Sequence, residues 1–178
     1  MINPRTLLAS ARRMQLVMSC MVGLFLVGSA TLIAVVIATP GVIGAHLAQV
    51  SGFANGPLEP WQTVALACIG LVHMALWLAV LTGARRVFGQ IAQGNPEGAA
   101  TTARQLSYGL WAMLGWGLVS QMIVSVVATW GYPPGQRALA LGIGTPEISV
   151  ALSALIAGFL ARAFALGAEL WRDHQAVV

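Results

Sequence analysis

Twenty-six consecutive residues, Met14 to Thr39, carry no charged side chain. A helix of that length exceeds the roughly 20 apolar residues needed to cross a bilayer, so the run predicts a membrane span. It also exceeds the roughly 7–15 residues of a signal-peptide core. A retained span is therefore favoured over a cleaved leader ending near Ser29-Ala30, despite the basic start Arg5, Arg12 and Arg13. Uncharged runs recur at 61–84 and 106–130, and a fourth, less clean, at about 148–168. Only 8% of the 178 residues are charged and 58% are hydrophobic, against roughly 25% charged in soluble domains. So few charges cannot cover a water-soluble globule of this size.

Between these runs lie three polar or turn-rich segments. Residues 40–60 hold Pro40, Gly41, Gly44, Ser51, Gly52, Asn55, Gly56, Pro57 and Pro60 and one charge, Glu59. They read as a loop with room for a short helix around Val42–Val50. Residues 131–147, with Tyr132-Pro133-Pro134-Gly135, form a second loop carrying Arg137 and Glu147. Residues 85–105 form the polar centre. Val87, Phe88 and Ile91 lie on one helical face there, which predicts that the second span continues beyond the membrane as a half-amphipathic helix. Gly94-Asn95-Pro96-Glu97 then stops one helix and starts the next: glycine at the C-terminal stop, asparagine as N-cap, proline in the first turn, and glutamate at the positive end of the helix dipole. Thr145-Pro146-Glu147 repeats that logic. Pro4, Pro60, Pro96 and Pro146 each mark a helix start, and no proline falls within a span.

Seven of the nine arginines lie in the termini and the central loop and an eighth, Arg162, towards the inner end of the fourth span; Arg137 alone lies in the other two loops. The positive-inside rule then places both termini and 85–105 in the cytoplasm, with 40–60 and 131–147 outside. The expected architecture is an all-α integral membrane protein: one domain of four transmembrane helices arranged as two hairpins, in a bacterial inner membrane. The basic residues flank apolar runs rather than forming a patch, so no direct nucleic-acid contact is expected. Cys20 and Cys68 each fall near the start of spans that run in opposite directions, Cys20 towards the inner side and Cys68 towards the outer, too far apart for a disulfide.

Chemistry has few footholds. His46, His73 and His174 lie outside, mid-membrane and inside, so they cannot share a metal or haem. Motifs for hydrolysis (Gly-x-Ser-x-Gly, His-Glu-x-x-His), a pair of intramembrane carboxylates and a phosphate-cradling glycine loop are all missing, and neither enzymatic activity nor a cofactor is expected. Three polar residues interrupt the spans: His73, Gln121 and Arg162. His73 and Gln121, read at similar depth, are expected to hydrogen-bond between helices. Only 14 uncharged residues, Ile148–Ala161, precede Arg162, about 21 Å of helix against a core of about 30 Å. Arg162 must therefore snorkel to the inner headgroups or face the bundle interior. Ser149, Ser153, Ala157 and Ala161, with Ala154 and Gly158, give the fourth span a small face suited to close helix packing. Gly117, Gln121 and Ser125 form a similar line on the third.

Two segments carry a resemblance. Phe88-Gly89-Gln90-Ile91-Ala92-Gln93-Gly94-Asn95-Pro96, followed by Arg104-Gln105-Leu106 entering a span, is one. The other is the ending from Ala161 to Val178, in which Gly167, Leu170 and Val178 fall in the pattern. They resemble the bacterial four-span membrane family catalogued as domain of unknown function 2975. Glu97 departs from its usual aromatic, and Asp173-His174-Gln175-Ala176 from its more acidic tail. The resemblance implies a membrane partner of a small Cro/CI-type helix-turn-helix regulator. From the charge pattern, Arg85, Arg86 and Arg104 are most simply topology anchors, and with Asn95, Glu169 and Arg172 they are the candidate cytoplasmic contacts with a protein partner or with anionic lipid. Two other roles remain open: an accessory subunit of a larger membrane complex, and a small-molecule or ion carrier using His73 and Gln121.

Overall fold

A computed structural model describes residues 4–51, 58–133, 135–137 and 139–176. All regular structure among them is helical: α1 (Pro4–Ala38), α2 (Pro40–Ser51), α3 (Pro60–Ala92), α4 (Pro96–Ala128) and α5 (Thr145–Ala176). Every helix has proline in its first turn, where the fixed φ suits the helix and no N–H is lost from the ladder. Pro40 does for α2 what Pro4, Pro60, Pro96 and Pro146 do for the longer helices.

Four helices, α1, α3, α4 and α5, are long and apolar enough to cross a membrane. They stand in a row. α1 packs on α3, α3 on α4 and α4 on α5, while among the described residues α5 meets neither α1 nor α3 backbone to backbone. The short α2 lies across the start of α3, where Gly44 sits so close to Thr63 that a Cβ would come within 3.1 Å of its hydroxyl. It also touches α1 and α4. Between Cys20 on α1 and Cys68 on α3 no bond forms; both are free and exposed.

The best-packed part lies along α4. Val87, Ala103 and Ala161 form one buried group with Ile91, Leu106 and Phe164 around it. Leu110, Ala154 and Ala157 form a second with Val80, Leu106 and Val150. The small face expected on the fourth span resolves into two. Ala154, Ala157, Ala161 and Ala168 are buried, whereas Ser149 and Ser153 are exposed. Small side chains let α4 and α5 approach until the Ser107 hydroxyl donates across the seam to the Ala154 carbonyl at 2.8 Å. Gly158 lies beneath Ser107, and a Cβ there would stand 3.2 Å from its Oγ. Elsewhere large apolar side chains are exposed, among them Leu24, Val27 and Ile37 on α1 and Val64 on α3. That is the surface expected of helices solvated by lipid.

Candidate functional site

Helix register fixes the levels. The Gln62 side chain donates to the Val127 carbonyl at 2.8 Å; stepping along the antiparallel α3 and α4 from that pair brings Arg85 level with Arg104. Stepping along α4 and α5 from the Gln121–Glu147 contact brings Arg162 within one turn of the same level. Arg85, Arg86, Arg104 and Arg162 are exposed and make no ion pair among the described residues. They mark one boundary of the apolar zone, as snorkelling arginines do. Arg162 is exposed and flanks the α4–α5 seam beside Trp111 and Phe159, so it does not face the bundle interior.

Beyond the arginine level all four long helices continue: α1, whose Gln15 lies beside Gly89 of α3, begins at Pro4. α3 runs seven residues further to Ala92 and α5 fourteen further to Ala176, about 10 Å and 21 Å at 1.5 Å per residue. The turn joining α3 to α4 is built by capping. Gly94 has φ +69, the left-handed region open to glycine. Asn95 is the N-cap of α4: its Oδ1 accepts from the Gly98 N–H at 2.9 Å, and its Nδ2 donates to Gln90 Oε1 at 3.0 Å. Both side-chain groups of Asn95 thus hold the elbow. Glu97, the residue departing from the resembled pattern, pairs with Arg172 of α5, joining elbow to tail. Glu169 is exposed on the same part of α5.

The apolar zone holds a different arrangement from the expected His73–Gln121 contact. Gln121 does not bond His73. Its Oε1 accepts from the Gly142 N–H at 2.9 Å, and its Nε2 donates to Glu147 Oε1 at 2.8 Å. The α3–α4 register puts His73 level with Trp116 instead, about 7 Å deeper than Gln121. The two polar residues looked level because the apolar runs end well inside the helices that contain them. Trp116 Nε1 is buried without an acceptor among the described residues.

Gln121 belongs to a ladder. Residues 139–144 are not helical and run along α4. The Ala140 N–H donates to Ser125 Oγ at 3.1 Å, the Gly142 N–H to Gln121 Oε1 at 2.9 Å, and the Gly144 N–H to Glu147 Oε2 at 2.8 Å. The two periods match: four helical residues rise about 6 Å and two extended residues about 6.6 Å. Leu139, Leu141 and Ile143, 64%, 59% and 73% exposed, point away. Side chains of α4 and α5 thus satisfy the N–H groups of Ala140, Gly142 and Gly144, which no helix ladder satisfies. From Arg162 to Thr145 is about 25 Å of helix, and residues 139–144 continue along α4 beyond it. The signal was present as alternation, Leu139-Ala140-Leu141-Gly142-Ile143-Gly144, opposite polar residues four apart on the preceding helix. It lay inside what reads as an outer loop.

At the far end aromatic and charged residues gather. Trp61 and Trp130 meet edge to face at 6.2 Å, Arg137 lies over Trp130 at 5.5 Å, and Trp61 Nε1 donates to Glu59 Oε2 at 2.7 Å. Such amphipathic rings favour a membrane–water interface. Apolar helices bounded by arginines at one end and tryptophans at the other define a multi-pass α-helical membrane protein. Comparison of the chain with family models, with curated proteins and with solved structures finds no match.

Proposed function

We propose that the chain is a bacterial inner-membrane protein, its spans paired as two hairpins and its termini and elbow in the cytoplasm, whose work is to hold a protein partner rather than to catalyse a reaction. The observation that carries this reading is the projection of α3, α4 and α5 past the arginine level, tied together by Glu97 and Arg172. Such a helical platform offers a prepared surface, and Arg85, Arg86, Arg104, Glu169 and Arg172 are its charged contacts, with anionic lipid available to those nearest the membrane. The resemblance of the elbow and tail to domain of unknown function 2975 makes a small helix-turn-helix regulator the first partner to test.

A photo-crosslinking residue at Gln93, and separately at Glu169, is expected to capture the same protein in intact cells. Arg172→Glu is expected to lose that adduct, and the double exchange Glu97→Arg/Arg172→Glu to recover it. Because both partners of the pair are largely exposed, these variants should differ from the parent by less than about 0.5 kcal/mol in stability. Failure of both positions to capture a protein, or adducts indifferent to charge reversal, would overturn the reading. A second reading, an accessory subunit of a larger membrane complex, is favoured by the open row, whose apolar faces a neighbouring subunit can cover. Adducts formed from Val119, exposed on α4 within the apolar zone, and not from Gln93 or Glu169 would select it.

A further inference from the structure

α3 and α5 stand on adjacent sides of α4 and leave a lengthwise groove of about 590 Å³ between them. Its floor is the stripe Leu106, Leu110, Met113 and Gly117 of α4. From His73 to Phe88 of its α3 wall the groove runs about 22 Å, so it is a narrow slot. A helix with its side chains needs about 10–12 Å of width, whereas a single hydrocarbon chain fits, and the volume lies in the range of small-molecule sites.

Polarity is graded along the slot. One end holds Ala84, Phe88 and Leu160, and the other holds His73, Trp77, Ser149, Ser153 and Glu147. At the polar end most groups are already committed. Glu147 accepts through both oxygens, and the Ser149 and Ser153 hydroxyls donate to their own helix at 2.8 Å each. His73 alone is half-buried there with no hydrogen bond to any described residue. Its imidazole offers an N–H about 18 Å above the arginine level, well inside a core of about 30 Å. A charged headgroup is strongly disfavoured at that depth, so a phospholipid does not complete the site.

We propose that the slot binds a neutral single-chain lipid whose compact head carries a hydrogen-bond-accepting carbonyl, of the alkyl-quinone kind. His73 donates to the carbonyl, and the tail lies over Leu110 and Leu106 towards Phe88. Entry is lateral, from the bilayer.

The test is native mass spectrometry of the full chain released from detergent, titrated with a decyl-substituted benzoquinone and, separately, with tetradecane and with phosphatidylglycerol. A one-to-one quinone adduct is expected at concentrations where neither control binds. His73→Phe is expected to raise the half-saturating concentration about tenfold, the worth of one hydrogen bond in an apolar site. His73→Asn, which keeps an N–H, should stay within about threefold of the parent by the same arithmetic. Ser153→Trp, at an exposed position on the slot wall, should abolish binding, while Leu155→Trp on the other side of α5 should not. Equal binding of tetradecane, or a His73→Phe variant with parental affinity, would overturn the proposal. So would a dimer that Ser153→Trp disrupts, which would make the occupant a helix of a second copy.

Discussion

Replacing Gln121 by leucine is expected to lower the stability of the detergent-solubilised protein by roughly 2–3 kcal/mol, read as a fall in the thermal midpoint. Isolated interhelical hydrogen bonds in membranes average about 0.6 kcal/mol, because the unfolded chain in lipid also finds partners. Gln121 is a stronger case for two reasons. Its carbonyl satisfies a backbone N–H of an extended segment, at Gly142, that no helix ladder can satisfy. Its amide satisfies a carboxylate oxygen of Glu147, and hydrogen bonds to charged groups exceed neutral ones. Leucine keeps the bulk and removes both. Gln105→Leu serves as control: it removes an exposed glutamine of the same helix that has no hydrogen-bond partner among the described residues, and a change within about 0.5 kcal/mol is expected. Equal effects at the two positions would show that residues 139–144 do not depend on α4.

The second large effect is expected at the seam. Ala154 has no exposed surface, and its carbonyl receives the Ser107 hydroxyl at 2.8 Å. Leucine there adds three carbons where no space exists, so α4 and α5 must separate or the backbone must shift. Overpacking of this kind costs roughly 1–3 kcal/mol, and separation also loses the Ser107 bond, about another 1 kcal/mol. The combined loss of about 2–4 kcal/mol should appear as a lower thermal midpoint in size-exclusion profiles of the heated protein. Leu152→Ala, at an exposed position on α5, should change little. A neutral Ala154→Leu would mean that the α4–α5 contact is looser than the buried alanines indicate.

Helix identity was legible in the sequence because lipid imposes length and apolarity at once, and proline marks the starts. The elbow was legible because capping is local: Gly94, Asn95 and Pro96 act within a few residues of one another. Glu97–Arg172 was not, because that contact joins positions 75 apart and depends on α4 and α5 being neighbours. Gln121 was assigned the wrong partner for the same kind of reason. Hydropathy locates the apolar runs, but relative depth follows from where helices begin and end and from register-setting contacts such as Gln62 to Val127. The extended stretch 139–144 was hidden by its composition. Glycine, a charge and prolines on either side read as loop, and its period-two alternation spans only six residues. The small face of α5 could be seen, but which of its residues packed inward required the position of Ser107.

The central claim is that the arginine-bounded end of the helices, with the elbow and tail, faces the cytoplasm while the tryptophan-bounded end faces out. In a Cys20→Ser/Cys68→Ser background, single cysteines at Gln93 and Gln136 test it through a membrane-impermeant maleimide. The account predicts that Gln136→Cys is labelled in intact spheroplasts and that Gln93→Cys is labelled only after permeabilisation. Labelling of Gln93→Cys in intact spheroplasts, with Gln136→Cys protected, would contradict it.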